Sequence, residues 1–438
     1  MRYAITTRTV VILTLAATTV VACSDQLTEP NVASTSTGQS SASNAATPTP
    51  DLRASAASTL AWQARARDLV STHPATVSPI VAARAYALLG MAQYGAAVAA
   101  DRSLGIASAD DDRSTLAGAD EGGRAQYEAR RGAIGAASNR ILSHLFPDVA
   151  AAMDQQLANE GVGANGRVHP QFTRGLAIGK AMGDVMVAWA DADGFSVPWT
   201  NPPFAPYLSG TPGVWFQANP LAPPAGFQFP GMKPYFLTSA HQFRSVPPPV
   251  YLSADYNAGL AAVRAISDTR TPEQIASANL WNLPPGSPTA LGYWDQRAGE
   301  YIVEHGLGER SASHVFALTN AAGMDATIGC WDAKYTYLLL RPVQADPLIK
   351  VVFTTPNHPS YPSGHSCVSA AAASVLTAFF PEKKAELDQG VADAGMSRVF
   401  AGIHYPFDIS AGQTLGRSAA AWALDYDRTR GLLSAVGR

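Results

Sequence analysis

Charge is scarce in this 438-residue chain: Asp, Glu, Lys and Arg make up 15% of it, against roughly 25% in ordinary soluble domains. The formal balance is −3, so there is no global field to gather nucleic acid or an anionic membrane surface, and any bound anion must be attracted locally. Cysteine is scarcer still, and three residues cannot build a disulfide scaffold. Long apolar runs are missing beyond residue 21, where no stretch reaches the roughly 20 residues that a membrane helix needs. What remains is 47% hydrophobic and rich in alanine, enough to bury one large core or two ordinary ones. Small side chains suit close helix contacts, and the composition predicts an all-α fold.

The first residues predict export. Arg2 and Arg8 form a positive start, 10–21 a short apolar stretch, and Val20, Val21 and Ala22 a small-residue cleavage site before Cys23. That order resembles the lipobox of bacterial lipoproteins, which implies a signal peptide over 1–22 and a diacylated Cys23 anchoring an exported protein to a membrane. Ser24 after the cysteine resembles the pattern for release to the outer membrane. Residues 23–50 are Ser, Thr, Ala, Asn and Pro with few large apolar groups, a composition that reads as a disordered tether. The folded domain is expected over 51–438.

Apolar residues recur at helical spacing over 60–70, 80–99, 127–145 and 172–190, then over 254–266, 272–280 and 288–303, with nearly continuous helix in the last third. The acidic stretch 110–121 holds Asp110, Asp111, Asp112, Asp120 and Glu121; its spacing matches no EF-hand loop and it reads as a solvated loop. Residues 193–249 are rich in proline and aromatics, including Trp199, Trp215, Phe229 and Tyr235. They predict an irregular cover carrying aromatic surface towards a substrate channel, or else a packed excursion with structural duties alone.

The chemistry concentrates in 329–411. Lys334 and Arg341 lie seven residues apart, two turns on one helical face, with Pro342 ending the helix. Ser363-Gly364 opens an apolar helical run and aims backbone N–H groups at an anion, with His365 in the first turn able to move a proton. Arg398 adds a third cation, whose planar fork suits tetrahedral oxyanions. His404 and Asp408 stand four apart, so the carboxylate can orient the ring and raise the basicity of its far nitrogen. Cys330 and Cys367 flank these blocks as a disulfide or as buried thiols.

Together the blocks resemble the three-part signature shared by type 2 phosphatidic acid phosphatases, bacterial class A acid phosphatases and vanadium haloperoxidases. The resemblance implies a helical-bundle fold in which Lys334, Arg341, Ser363, Gly364 and Arg398 hold the equatorial oxygens of a phosphate-shaped oxyanion. His404 would attack phosphorus in a phosphatase or ligate the vanadium of a vanadate cofactor in a haloperoxidase. His365 would handle protons, Asp408 would orient His404, and Lys334 would polarise bound peroxide. The substrates implied are hydrogen peroxide and halide, or a phosphomonoester.

About 300 residues precede the first block, more than the small acid phosphatases need, and this length leans towards the haloperoxidase branch. Trp331, on the Lys334 face, resembles a tryptophan lining the fungal chloroperoxidase site, and His358 falls where bromoperoxidases carry a histidine; both are candidates for a halide or substrate pocket. The short segment between His365 and Arg398 departs from the large eukaryotic enzymes and leaves halide preference open, as it leaves the oligomer. A third alternative, a silent oxyanion-binding lipoprotein, has no use for an acid–base pair such as His365 and His404.

Overall fold

A computed structural model of the chain describes residues 56–105, 121–163, 165–197, 211–217 and 224–437. The expected signal peptide, Cys23, the tether and all but the last residue of the acidic stretch lie outside them. So does Trp199. The described residues belong to one unit, Pro50–Arg438, and contain thirteen α-helices. No helix among them is long and apolar enough to cross a membrane.

Five helices form the first half: α1 (Ala57–Thr72), α2 (Pro79–Ser103), α3 (Glu121–Leu145), α4 (Ala150–Gly161) and α5 (Pro170–Asp191). Ser78 caps α2 ahead of Pro79, the favoured order of a hydroxyl followed by a proline. The start of α1 lacks a side-chain cap of its own; buried Glu309 takes that part, accepting from the Ser58 and Thr59 N–H groups at 2.8 and 2.9 Å. The abundance of small residues is explained where α3 and α5 cross, since a Cβ on Gly179 would fall 2.0 Å from the Ala133 carbonyl oxygen. Beyond α5 come α6 (Ala254–Thr269), α7 (Pro272–Leu280) and α8 (Thr289–Glu304).

The second half turns on α9 (Glu309–Tyr337), whose central residues are buried on every side and which packs on α2 as well as on α11 (Gly364–Phe379) and α13 (Pro406–Arg430). Between them stand α10 (Pro342–Ala345) and α12 (Lys384–Phe400). The last third is therefore less continuous than its periodicity predicts: 346–363 is irregular, and that loop is where much of the site resides. A large apolar cluster runs through both halves. A second, including Tyr256, Leu339, Tyr361, Tyr405 and Ile409, walls the loop.

Among the described residues of the cover there is a short 3-10 turn at Phe229–Gly231, and four of its described aromatics pack inward instead of lining a channel. Trp215, Phe229, Tyr235 and Phe236 are 2% exposed or less; burying such rings stabilises the packed excursion instead. Asp325 of α9 pins it by accepting the N–H groups of Tyr235, Phe236 and Leu237 at 2.7, 2.8 and 3.0 Å.

Candidate functional site

Lys334 is on the last turn of α9, but Arg341 is not on that helix. Leu338 adopts φ 53° and closes α9 with a left-handed cap, its N–H bonding the Lys334 carbonyl at 2.9 Å. Its own carbonyl is taken by the Trp215 N–H of the cover at 2.7 Å. Arg341 then serves as the residue before α10, and Pro342 begins that helix rather than ending α9. The two cations still meet, because the reversal folds Arg341 back beside Lys334 instead of placing it two turns along.

Each is engaged by backbone oxygens of the irregular loop. Lys334 Nζ donates to the carbonyls of Pro359, Ser360 and Pro362 at 2.8, 2.9 and 2.5 Å, which occupies all three of its hydrogens. Arg341 donates to the His358 and Ile403 carbonyls at 3.0 and 2.8 Å, to His358 Nδ1 at 3.0 Å and to His404 Nε2 at 2.9 Å. Arg398, on α12, donates to Ser397 Oγ at 3.1 Å and to the Ala278 carbonyl at 3.0 Å. Burial removes these charges from water and lowers the proton affinity of all three, to about 8 for Lys334, about 10 for Arg341 and about 9 for Arg398.

Ser363 caps α11, accepting from the Ser366 N–H at 3.4 Å, and leaves the N–H groups of Gly364 and His365 in the open first turn. Trp331 lies over Gly364: a Cβ there would stand 3.2 Å from its ring, so glycine keeps backbone and indole close. The indole N–H donates to the Ala225 carbonyl of the cover at 2.7 Å, and the ring meets His358 at 5.1 Å between centroids. His358 is therefore a buried arginine partner as well as a wall. His365 Nε2 is shielded from solvent and has no hydrogen-bond partner among the described residues. Burial, then Arg398, holds this ring well below the usual histidine range.

His404 precedes α13 and Asp408 stands in its first turn. The ring's Nδ1 meets Asp408 Oδ2 at 2.8 Å, and Arg341, which can only donate, faces Nε2. These partners assign the proton to Nδ1 and leave a lone pair on Nε2 pointing among the cations. Burial, then Arg341, keeps the ring neutral by pushing its proton affinity well down. Asp408 is fully buried, and burial raises it to about 6 against the hydrogen bond from Ser360.

All the sequence-derived residues among 329–411 converge on this cluster. One that pattern reading overlooks is Ser360: its hydroxyl donates to Asp408 Oδ2 at 2.6 Å while its carbonyl holds Lys334. The Tyr405 N–H reaches the same carboxylate oxygen at 3.2 Å. Neither follows from motif spacing, though a serine between prolines in a loop bearing His358 is a visible polar signal. Cys330 and Cys367 are buried thiols, not a disulfide. A separate cavity of about 430 Å³ is lined by His314, Leu318, Phe379, Asp427 and Arg428 among others; its His314–Asp427 pair at 2.7 Å is a second dyad, but Arg428 there is already engaged by Asp425.

Against known proteins, the model of the PAP2 superfamily matches residues 313–431. A non-specific acid phosphatase of Salmonella typhi is 42% identical over 57 residues, which is 13% of this chain and 23% of the phosphatase. The match thus spans less than a quarter of that relative's length. Among solved structures, the first bacterial vanadium-dependent iodoperoxidase superposes with a TM-score of 0.67 at 24% identity, covering 84% of this chain and 95% of its own. A bacterial vanadium-dependent chloroperoxidase in its holo form gives 0.62 at 14% identity, covering 85% and 96%. The fold is thus the helical one of those peroxidases, and the segment 313–431 that carries the signature matches the PAP2 superfamily.

Proposed function

We propose that this chain is a vanadium-dependent haloperoxidase that oxidises halide with hydrogen peroxide. The observation that carries the reading is a charge imbalance: Lys334, Arg341 and Arg398 are 0%, 0% and 2% exposed, while Asp408 is the carboxylate among them. Buried charge without a counter-ion costs several kcal/mol, and a multiply charged oxyanion relieves it. The donor set fits vanadate, with cations for its oxygens, a glycine N–H beneath an indole, and a histidine lone pair that would hold the central atom.

Bound vanadate supplies a Lewis-acidic centre at which peroxide becomes reactive towards halide. The chain's own residues do the rest. His404 Nε2 would hold the central atom once Arg341 turns from it to the anion. Arg341, Arg398, the Ser363 hydroxyl and the Gly364 N–H would fix its oxygens, while Lys334 would contribute its field and must give up one carbonyl to donate directly. Asp408 keeps the His404 proton on Nδ1. His365, with Nε2 unengaged, is placed to take and return protons beside the bound group. Trp331 and His358 border the halide or substrate approach. Export with a lipid anchor at Cys23 is part of the same proposal.

Extent favours peroxidase over phosphatase: the vanadium-dependent peroxidases share the fold over 84–85% of this chain, including the helices ahead of the motif. The second reading, a phosphomonoesterase with His404 as nucleophile and His365 as acid, draws on the Salmonella typhi phosphatase match. The test is halogenation of a phenol-red type dye by protein, orthovanadate, peroxide and bromide or iodide. Activity that requires vanadate and vanishes in His404→Ala supports the proposal; vanadate-saturated protein that oxidises no halide overturns it.

A further inference from the structure

Two thiols stand directly behind the cation cluster. Cys330 on α9 and Cys367 on α11 are both 0% exposed, are not bonded covalently, and are neighbours where the two helices pack together. Cys330 Sγ also points at the Pro362 carbonyl oxygen, 3.8 Å away, the oxygen that accepts Lys334 Nζ at 2.5 Å. One helical turn separates Cys330 from Lys334, and Cys367 bonds through its N–H to the Ser363 carbonyl at 3.0 Å. The sulfur pair therefore bridges the helix that carries the lysine and the helix that opens at the anion cradle.

We propose that Cys330 and Cys367 are a peroxide-oxidisable dithiol that closes to a disulfide between α9 and α11. Thiolate is the reactive form, and a neighbouring ammonium favours it; Lys334, sharing a carbonyl with Cys330, is that neighbour. The Cys330 sulfur attacks one oxygen of hydrogen peroxide, an S–O bond forms as the O–O bond breaks, and the departing hydroxide leaves with the thiol proton as water. The Cys367 sulfur then attacks the sulfenyl sulfur, an S–S bond forms as the S–O bond breaks, and the second hydroxide leaves with the Cys367 proton as water. Two thiols and one peroxide give one disulfide and two waters, the thiols losing two electrons. A resolving thiol in contact diverts the first sulfur from the irreversible sulfinic stage. A peroxide supply at this place rests on the peroxidase reading; the chemistry of the pair does not.

The experiment exposes the full-length protein, without vanadate or halide, to one equivalent of hydrogen peroxide, then alkylates and maps it by mass spectrometry. The expected result is a cross-linked Cys330–Cys367 peptide, lighter by two hydrogens than the sum of its reduced halves and restored by dithiothreitol. In Cys367→Ser, Cys330 should instead stop as a sulfenic acid that dimedone traps. Full alkylation of both cysteines after excess peroxide, or their separate conversion to sulfinic acids with no cross-linked peptide, overturns the proposal. Since the readout is a peptide mass, it is independent of whether halide is oxidised.

Discussion

Replacing Asp408 by asparagine separates the charge of the dyad from its shape. Three donors converge on Oδ2, from Ser360 Oγ at 2.6 Å, His404 Nδ1 at 2.8 Å and the Tyr405 N–H at 3.2 Å, while Oδ1 is buried without a hydrogen-bond partner. An amide NH2 at the Oδ2 position would oppose all three, so the amide oxygen must sit there and the NH2 must take the place of Oδ1. The His404 tautomer is then retained and what disappears is charge assistance, about 1–2 kcal/mol as the difference between a charged and a neutral hydrogen bond. Orthovanadate affinity should fall about 5- to 30-fold. The NH2 left without an acceptor should lower stability by about 1–3 kcal/mol. Titration calorimetry with orthovanadate, chemical denaturation and 15N spectra of labelled histidine measure the three quantities. Wild-type affinity in Asp408→Asn would refute the charge assistance, and a His404 ring carrying its proton on Nε2 would refute the geometric argument.

Ser360→Ala removes the hydroxyl that helps keep Asp408 ionised; a hydrogen bond of about 1.5–3 kcal/mol to a charged group corresponds to an upward move of the acidic limb by about one to two pH units, read from kcat/KM profiles. In the wild-type protein, Asp408 must be ionised and lies near about 6, so activity should be lost as pH falls through that value. Lys334 must be charged and lies near about 8 in the free site, so kcat/KM should decline as pH rises through it, while the limb in kcat moves higher because bound anion stabilises the ammonium. Gly416→Ala tests how closely α13 seats on α11: its Cβ would fall 2.2 Å from the Cys367 carbonyl oxygen, and overpacking of this kind should cost about 1–3 kcal/mol, visible as a lower Tm.

The long helices were legible because each turns a recurrent apolar stripe inward, as 80–99 does within α2. α4 was not: Met153 and Gly161 are its buried residues, too few to form a stripe. The site residues were legible as a set because their chemistry is unusual in a chain poor in charge. Their placement was less so. Seven-residue spacing fits two helical turns equally well whether or not the helix continues, and the left-handed Leu338 that turns the chain back is an uncommon conformation for leucine. The aromatic richness of the cover marked it as distinct, but rings pack inward or outward according to partners, here α9 and its neighbours, that lie far away in sequence. Ser360 escaped notice because its role depends on a carboxylate 48 positions away, which only the folded loop supplies.

The central claim is that one oxyanion site, built on His404, performs vanadate-dependent halide oxidation. Orthovanadate titrated into a single preparation, with halide oxidation and phosphomonoester hydrolysis followed in parallel, tests it most directly. The account predicts that halide oxidation rises from zero as any phosphomonoesterase activity declines, both with the same half-saturating vanadate concentration and both abolished by His404→Ala. Phosphomonoester hydrolysis that vanadate silences while halide oxidation stays at zero would contradict it.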